Sequence, residues 1–329
     1  MIPTTQNEFM EVVDETKQLL HQNQEWRSRY EAYAQTISQN LDFIISVRES
    51  FREWCPLTVY LNTTAAKNAK RTVLFDLRYY GQTVARLRGS KNGVHKLSTK
   101  GLAEKNLRDF DCTLELDGVD WRGHESSAFR KYFRDRKGPR KTGGNKGNEE
   151  HRLESLWLTE LLKQGGKALP NTKAVEIGKV RFPMPTPISA SNHHSIIYSG
   201  VKGGGIDILA RTGTGGKNTY LCIIELKDQN VKSEPPKDAL KQAIAYATFI
   251  RELLRSEAGR QWWFLFGFNG EIPKQLTIYA ACMMPSSDCN DYSFEDMSLN
   301  IDDDVIKLHY IYFLENENQI TEVETSLKW

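Results

Sequence analysis

Two apolar runs, 203–210 and 221–227, constrain the fold of this chain more than any other feature. The first reads Gly203-Gly204-Gly205-Ile206-Asp207-Ile208-Leu209-Ala210 and the second Leu221-Cys222-Ile223-Ile224-Glu225-Leu226-Lys227. Their length and β-branched content predict strands over 205–211 and 219–227, joined across Thr212-Gly213-Thr214-Gly215-Gly216-Lys217. Side chains alternate along a strand, so Glu225 and Lys227 share one face while Ile224 and Leu226 point to the other. A hairpin centred near Gly216 sets Asp207 opposite Glu225. Two converging carboxylates make a poor core but suit a hard cation such as Mg²⁺, which takes few carboxylates and fills its other positions with water and phosphate oxygens. A lysine beside them can orient a water and stabilise developing negative charge. Taken singly, each residue has a plainer reading: Asp207 as a turn residue after glycines, and Glu225 with Lys227 as a cross-strand ion pair.

The rest of the chain reads as alternating helices and strands. No Gly or Pro interrupts the sequence between Thr4 and Pro56, and apolar or small residues recur at Phe9, Val13, Thr16, Leu20, Tyr30, Ala34, Ile37, Leu41, Ile44 and Phe51. That spacing predicts a helix, opened by the capping box Thr5-Gln6-Asn7-Glu8 and broken in pattern at Asn23, Arg27 and Arg48. At ~1.5 Å per residue one unbroken helix would be on the order of 70 Å long. Two antiparallel helices, a helix packed on its own domain, or a helix packed on a partner or a second copy of the chain are the alternatives.

Residues 57–120 read as β-rich, with strands Leu57–Leu61, Thr72–Arg78 and Thr83–Arg88 and a turn at Gly81-Gln82. Arg86 and Arg88 fall on one face, either solvated or laid on phosphates. Helices are expected over Glu149–Gly165 and Pro236–Ser256, the latter with proline where its missing N–H is harmless. Strands are expected near Ala174–Ile177 and over Trp262–Phe266, Leu276–Cys282 and Ile306–Leu314. Residues 1–56, 57–146 and 147–329 form three segments, the boundary before the last lying in the Gly- and Lys-rich stretch Lys137–Gly147.

A net charge of +2 conceals an asymmetry. Residues 130–146 carry eight basic residues, Arg140 and Lys141 among them, against the single acid Asp135. Residues 288–324 carry eleven acids against Lys307 alone. The basic stretch is a candidate polyanion-binding arm, or else a solvated loop. No run of 18 apolar residues occurs, which argues against a membrane helix, and no basic start followed by an apolar run marks a signal peptide. The five scattered cysteines form no C-x-x-C pair, which fits a cytoplasmic protein without a zinc finger or iron–sulfur set. Gly213–Asn218 lacks the glycine spacing and the hydroxyl residue of a phosphate-binding loop. His193-His194 is a competing metal pair, but neighbouring side chains of an extended segment point apart.

Asp207 with Glu225-Leu226-Lys227 resembles the core of the PD-(D/E)XK nuclease superfamily. Two further segments extend the resemblance. Gly147-Asn148-Glu149-Glu150-His151-Arg152-Leu153-Glu154 is similar to the first motif of RecB-like nucleases: a glycine, a histidine opening an amphipathic helix, then a glutamate. Gln242-Ala243-Ile244-Ala245-Tyr246 is similar to the Q-x-x-x-Y of the helix that follows the E-x-K strand, and its two polar residues share a helical face. Alone, His151 reads as a surface histidine and Gln242 and Tyr246 as ordinary helix residues. The four elements stand in order across 147–280, with Ile206 where the superfamily often has proline.

The resemblance implies an α/β fold with a restriction-endonuclease-like core, a mixed central sheet flanked by helices, preceded by a long N-terminal helical segment and a β-rich basic region. It implies a metal-dependent DNA nuclease using Mg²⁺, with Mn²⁺ able to substitute. Asp207, Glu225 and the carbonyl of Leu226 would be metal ligands, joined by His151 or by its rival Glu154. Lys227 would orient the water. Gln242 and Tyr246 would position DNA or support the site, and Arg86, Arg88, Arg140 and Lys141 would hold its backbone. Phage defence, restriction and DNA repair are the settings left open. The alternative is a nuclease-fold module that binds DNA or protein and cleaves weakly or not at all.

Overall fold

The computed structural model describes residues 4–51, 56–62, 74–89, 95–136, 146–163, 168–192, 195–212 and 220–327. Arg140, Lys141, His193, His194 and residues 213–219 lie outside the described residues. The chain begins with α1 (Thr4–Gln22), α2 (Glu25–Gln39) and α3 (Leu41–Phe51). Then come β1 (Thr58–Leu61), β2 (Leu74–Tyr79), β3 (Gln82–Gly89), β4 (His95–Ser98), α4 (Ala103–Phe110), β5 (Val119–Asp120) and α5 (Ser127–Asp135). Next are α6 (Lys146–Leu162), β6 (Thr172–Ala174), β7 (Glu176–Ile177), β8 (Val180–Arg181), β9 (Ile188–Asn192) and β10 (Ser195–Tyr198). The last elements are β11 (Ile208–Thr212), β12 (Leu221–Leu226), α7 (Pro236–Leu254), α8 (Gly259–Leu265), β13 (Thr277–Pro285), β14 (Ser298–Ile301), β15 (Asp304–Asn316) and β16 (Gln319–Thr325). The fold is mixed α/β. Among the described residues no helix is long and apolar enough to cross a membrane.

These elements fall into two compact units, one of Met1–Ala34, Leu156–Val175 and Pro183–Trp329, the other of Gln35–Ser155 and Glu176–Phe182. The units cut across the three segments read from the sequence.

The first unit is built on the sheet β14-β15-β13-β12-β11-β6, with β16 added on β15. β11 pairs antiparallel with both β6 and β12, whereas β12, β13 and β15 are parallel neighbours. Such an arrangement buries the middle strands on both faces, and β12 accordingly has every residue buried. The helix α7 crosses from β12 to its parallel neighbour β13, the connection that parallel pairing demands. It is buried along most of its length, from Pro236 to Leu254.

Among the described residues the N-terminal segment forms three helices and not one or two. Both breaks fall at asparagines: the amide of Asn23 donates to the Leu19 carbonyl and that of Asn40 to the Thr36 carbonyl, each at 2.8 Å. Side-chain bonds of this kind compete with the helical ladder. Within the first unit α1 packs on α7, burying Phe9, Val13, Thr16 and Leu20. Trp26 and Tyr30 add an edge-to-face cluster on Phe249, with ring centroids 5.7 and 5.1 Å away, and the Trp262 indole donates to the Tyr30 carbonyl at 3.1 Å. The Thr5 side chain of the expected capping box lies outside what the structure describes; the Glu8 carboxylate lies 2.6 Å from the Lys237 ammonium of α7 and 3.5 Å from that of Lys241.

Trp262 to Phe266 form the helix α8 and its cap, not a strand. A short aromatic run fits either period. Here Trp262 and Trp263 are buried while Phe264 is 56% exposed, and Gly267, at φ 88°, ends the helix. The acidic C-terminal run is partly structural. Buried Asp304 accepts from the Arg251 and Arg255 guanidinium groups at 2.8 and 2.9 Å and from the Leu276 amide at 2.8 Å.

The second unit carries the sheet β5-β4-β3-β2-β1-β8-β7, antiparallel throughout except for the β1–β8 pair. β2 and β3 are joined by Tyr80 and Gly81, at φ 46° and 80°. Two positive φ values in a two-residue loop make the tight turn whose twist matches the flanking strands. Glycine is also required by space, because a β-carbon at Gly81 would lie 2.0 Å from the His151 carbonyl oxygen of α6. The basic stretch after Ser127 begins as a helix. Arg130 donates to the Trp121 carbonyl and Ser126, and Arg136 donates to the Phe110 carbonyl at 3.0 Å. These two cations tie α5 down, whereas Lys131 and Arg134 are exposed.

His309 on β15 generates a pH dependence. Its ring is buried beside Tyr279, with Nδ1 3.1 Å from the Ser326 hydroxyl and 3.7 Å from the Asp296 carboxylate. Burial pulls its pKa down from 6.5 to about 4, Lys307 adds to that effect and Asp296 opposes it. Between these values the unfolded chain takes up a proton that the folded one refuses. Stability present above pH 6.5 is therefore lost as pH falls toward 4. The loss is at most about 3 kcal/mol from this group. Urea unfolding at pH 7.5 and 4.5 should show a smaller drop for His309→Gln than for the wild-type chain. Equal drops would show that another group sets the acid limit.

Candidate active site

Asp207, Glu225, Lys227, Gln242 and Tyr246 all belong to the first unit. The antiparallel register pairs Ile208 with Ile224, so the next step along the ladder sets Asp207 beside Glu225, as the alternation predicts. Asp207 stands just before β11, half-buried, and its Oδ2 accepts the Leu226 amide N–H at 2.9 Å. That bond crosses from the first strand to the second and fixes the carboxylate at the end of the hairpin. Glu225 is 5% exposed and Lys227 7% exposed. Lys227 Nζ donates to Glu225 Oε1 at 2.7 Å, the contact that their shared face allows. The Lys227 amide in turn donates to the Met283 carbonyl of β13 at 2.9 Å, which extends the parallel pairing past the end of β12.

The approach to Asp207 is set by a strap of backbone hydrogen bonds. Ile206 N–H donates to the Met184 carbonyl at 2.9 Å, Gly204 N–H to the Ile188 carbonyl at 3.0 Å, and Thr186 N–H to the Gly204 carbonyl at 2.9 Å. Gly203 and Gly204 permit this close approach. A β-carbon at Gly203 would fall 1.8 Å from the Thr186 carbonyl oxygen.

Tyr246 of α7 completes the neighbourhood. Its hydroxyl lies so near the strap that a β-carbon at Gly204 would be 2.7 Å from it, and it accepts the Ala190 amide at 3.4 Å. Burial raises its pKa well above the ordinary range, the charges of Glu225 and Asp207 adding to the effect and Lys227 opposing it. The phenol is therefore a neutral hydrogen-bond donor at physiological pH. Gln242, one turn earlier, is 5% exposed and faces a cleft against α1. The Q-x-x-x-Y spacing thus places its two members on different surroundings of one helix face.

The remaining candidates belong to the second unit. His151 Nδ1 lies 3.3 Å from the Glu154 carboxylate, which also lies 3.8 Å from Arg78. Arg86 and Arg88 are exposed on β3, as the alternation predicts. Their cross-strand partners are Asp76 and Ser98 for Arg86, and Leu74 and Lys96 for Arg88.

Sequence reasoning missed the strap formed by 184–188 and the ammonium of Lys241 beside Gln242. The triplet Gly203-Gly204-Gly205 was the available signal for the strap, since consecutive glycines mark close backbone approach.

Comparison of the chain with protein-family models, with curated proteins and with solved structures finds no match in any of the three.

Gly203→Ala should push the strap off Thr186 and lower stability by about 1–3 kcal/mol, as overpacking does elsewhere. Thermal unfolding measures it, and an unchanged melting temperature would mean that the strap is not a fixed part of the site.

Proposed function

We propose that the chain is a metal-dependent nuclease with a restriction-endonuclease-like core, hydrolysing phosphodiester bonds in DNA. The observation that carries this reading is the constellation of half-buried Asp207 with buried Glu225 and Lys227 at the ends of paired strands, with a lysine ammonium 2.7 Å from a carboxylate inside an otherwise apolar sheet. The mixed sheet, with α7 following the Glu225-Leu226-Lys227 strand and carrying Tyr246 back to it, supports the same reading. Buried ion pairs are poor devices for stability, since desolvation offsets much of their attraction. Charges held in such a place are better explained by chemistry.

The donor set fits a hard divalent cation: two carboxylates of opposite strands, one of them oriented by a backbone N–H, with the Leu226 carbonyl in the same turn of chain. Mg²⁺ held by Asp207 and Glu225, or Mn²⁺ in its place, would supply neutralisation of the charge that builds on the scissile phosphate. Asp207 and Glu225 bind and orient. Lys227 holds the attacking water toward phosphorus and, released from Glu225, offers its ammonium to the non-bridging oxygens as negative charge develops. Tyr246, neutral, donates a hydrogen bond without adding charge. The exposed Arg86 and Arg88, with Lys96 across the strand, form a basic face suited to phosphate contacts that position without reading sequence.

The test is purified protein on supercoiled and linear DNA with Mg²⁺, Mn²⁺ or EDTA. Wild-type chain should cut only with metal, and Lys227→Ala, Asp207→Ala and Glu225→Ala should each lose about 10²-fold or more in rate. Unchanged cleavage in all three variants would overturn the proposal. Binding of DNA with no cleavage by any of them would favour the binding-module alternative.

A further inference from the structure

A second, separate feature of the first unit is the cleft between α1, α7 and the β9–β10 hairpin, about 310 Å³ in volume. That is roughly ten times the share of one molecule in liquid water, ~30 Å³. Its polar rim is acidic: Glu8, Glu11 and Glu15 from α1 and Asp238 from α7, against the ammonium of Lys241. Glu8 is already held by Lys237 and Lys241. Glu11 and Glu15 are exposed and one helical turn apart, a like-charge spacing that costs an isolated helix stability. Val12 and Ile196 give the cleft an apolar wall between these carboxylates.

The second observation is Gln242. It lines the cleft, is 5% exposed, and its buried Oε1 accepts no hydrogen bond among the described residues. A buried amide oxygen without a donor is costly, and a ligand carrying N–H groups would satisfy it.

The carboxylates do not converge as metal ligands do. Among the described residues no three of the groups lining this cleft bring their ligand atoms within 4.8 Å of one another. Spread acids, an apolar wall and an acceptor at depth match an extended cation better than a bare ion.

We propose that this cleft binds an alkylammonium group on an aliphatic chain, its N–H donors on Gln242 and the glutamates of α1 and its methylenes on Val12 and Ile196. Two sources carry that chemistry: a free polyamine and the lysine side chain of a peptide. The site is independent of the nuclease reading, because binding is measured without any cleavage.

The experiment is isothermal titration of the full chain with spermidine and, separately, with Nα-acetyl-lysine amide. Saturable one-site binding of either is the expected result. Spermidine alone identifies a free polyamine, and the lysine amide binding at least as tightly identifies a side chain. Glu11→Gln combined with Glu15→Gln, both on the exposed edge of α1, should weaken binding about tenfold. Gln242→Leu should weaken it separately, and circular dichroism with thermal unfolding establishes that each variant is folded. No binding of either amine at millimolar concentration, or binding untouched by the glutamate substitutions in folded protein, would overturn the proposal.

Discussion

The pairing of β12 with β11 on one side and β13 on the other is the constraint on which the first unit depends. β11 fixes which residue of the first run faces Glu225, and the antiparallel register answers with Asp207. β13 pairs in parallel through Leu226 and holds Lys227 in line by one further backbone bond. With both edges occupied, β12 has no freedom to twist its charged face outward. Glu225 and Lys227 must meet each other in the interior, 2.7 Å apart. A slip of one residue would carry Glu225 and Lys227 to the opposite, equally buried face of the sheet and break their alignment with Asp207, which is why such a register is strongly specified.

Most of this was legible because it rests on period-two alternation and on the antiparallel pairing of two strands separated by a short glycine-rich sequence. The approach of Asp207 to Glu225, the strand positions of β13 and β15, the outward arginines of β3 and the helices α6 and α7 all follow from patterns local to the chain. What escaped the sequence depends on tertiary choice. Trp262 to Phe266 could pack as strand or helix, and in the helix Trp262 packs its ring on Tyr30 and on Phe266 one turn later. The break at Asn23 coincides with an interruption of the hydrophobic period, whereas Asn40 breaks the N-terminal helix through a side-chain bond that no hydrophobic period encodes. Arg130 and Arg136 read as part of a free basic arm, yet backbone carbonyls at the ends of other elements claim them.

The candidate site shows the same division. Glu225, Lys227 and Asp207 were readable as a set, since spacing alone puts them together. The strap of 184–188, which lets Asp207 approach, was not, because its bonds join segments about twenty residues apart through irregular backbone. Gln242 and Tyr246 share a spacing but not a setting. Tyr246 lies against the Gly204 backbone within the field of the carboxylates, while Gln242 looks toward α1. A helix that packs on two neighbours at once assigns different surroundings to residues one turn apart, and only the packing of α1 on α7 reveals it.

The central claim is that Asp207 and Glu225 form one hard-cation site beside Lys227. Electron paramagnetic resonance of Mn²⁺ titrated into wild-type protein, Asp207→Asn and Glu225→Gln tests it without reference to any substrate. The account predicts a tight site in the wild-type chain that either substitution removes. Mn²⁺ binding unaltered in both variants would contradict it.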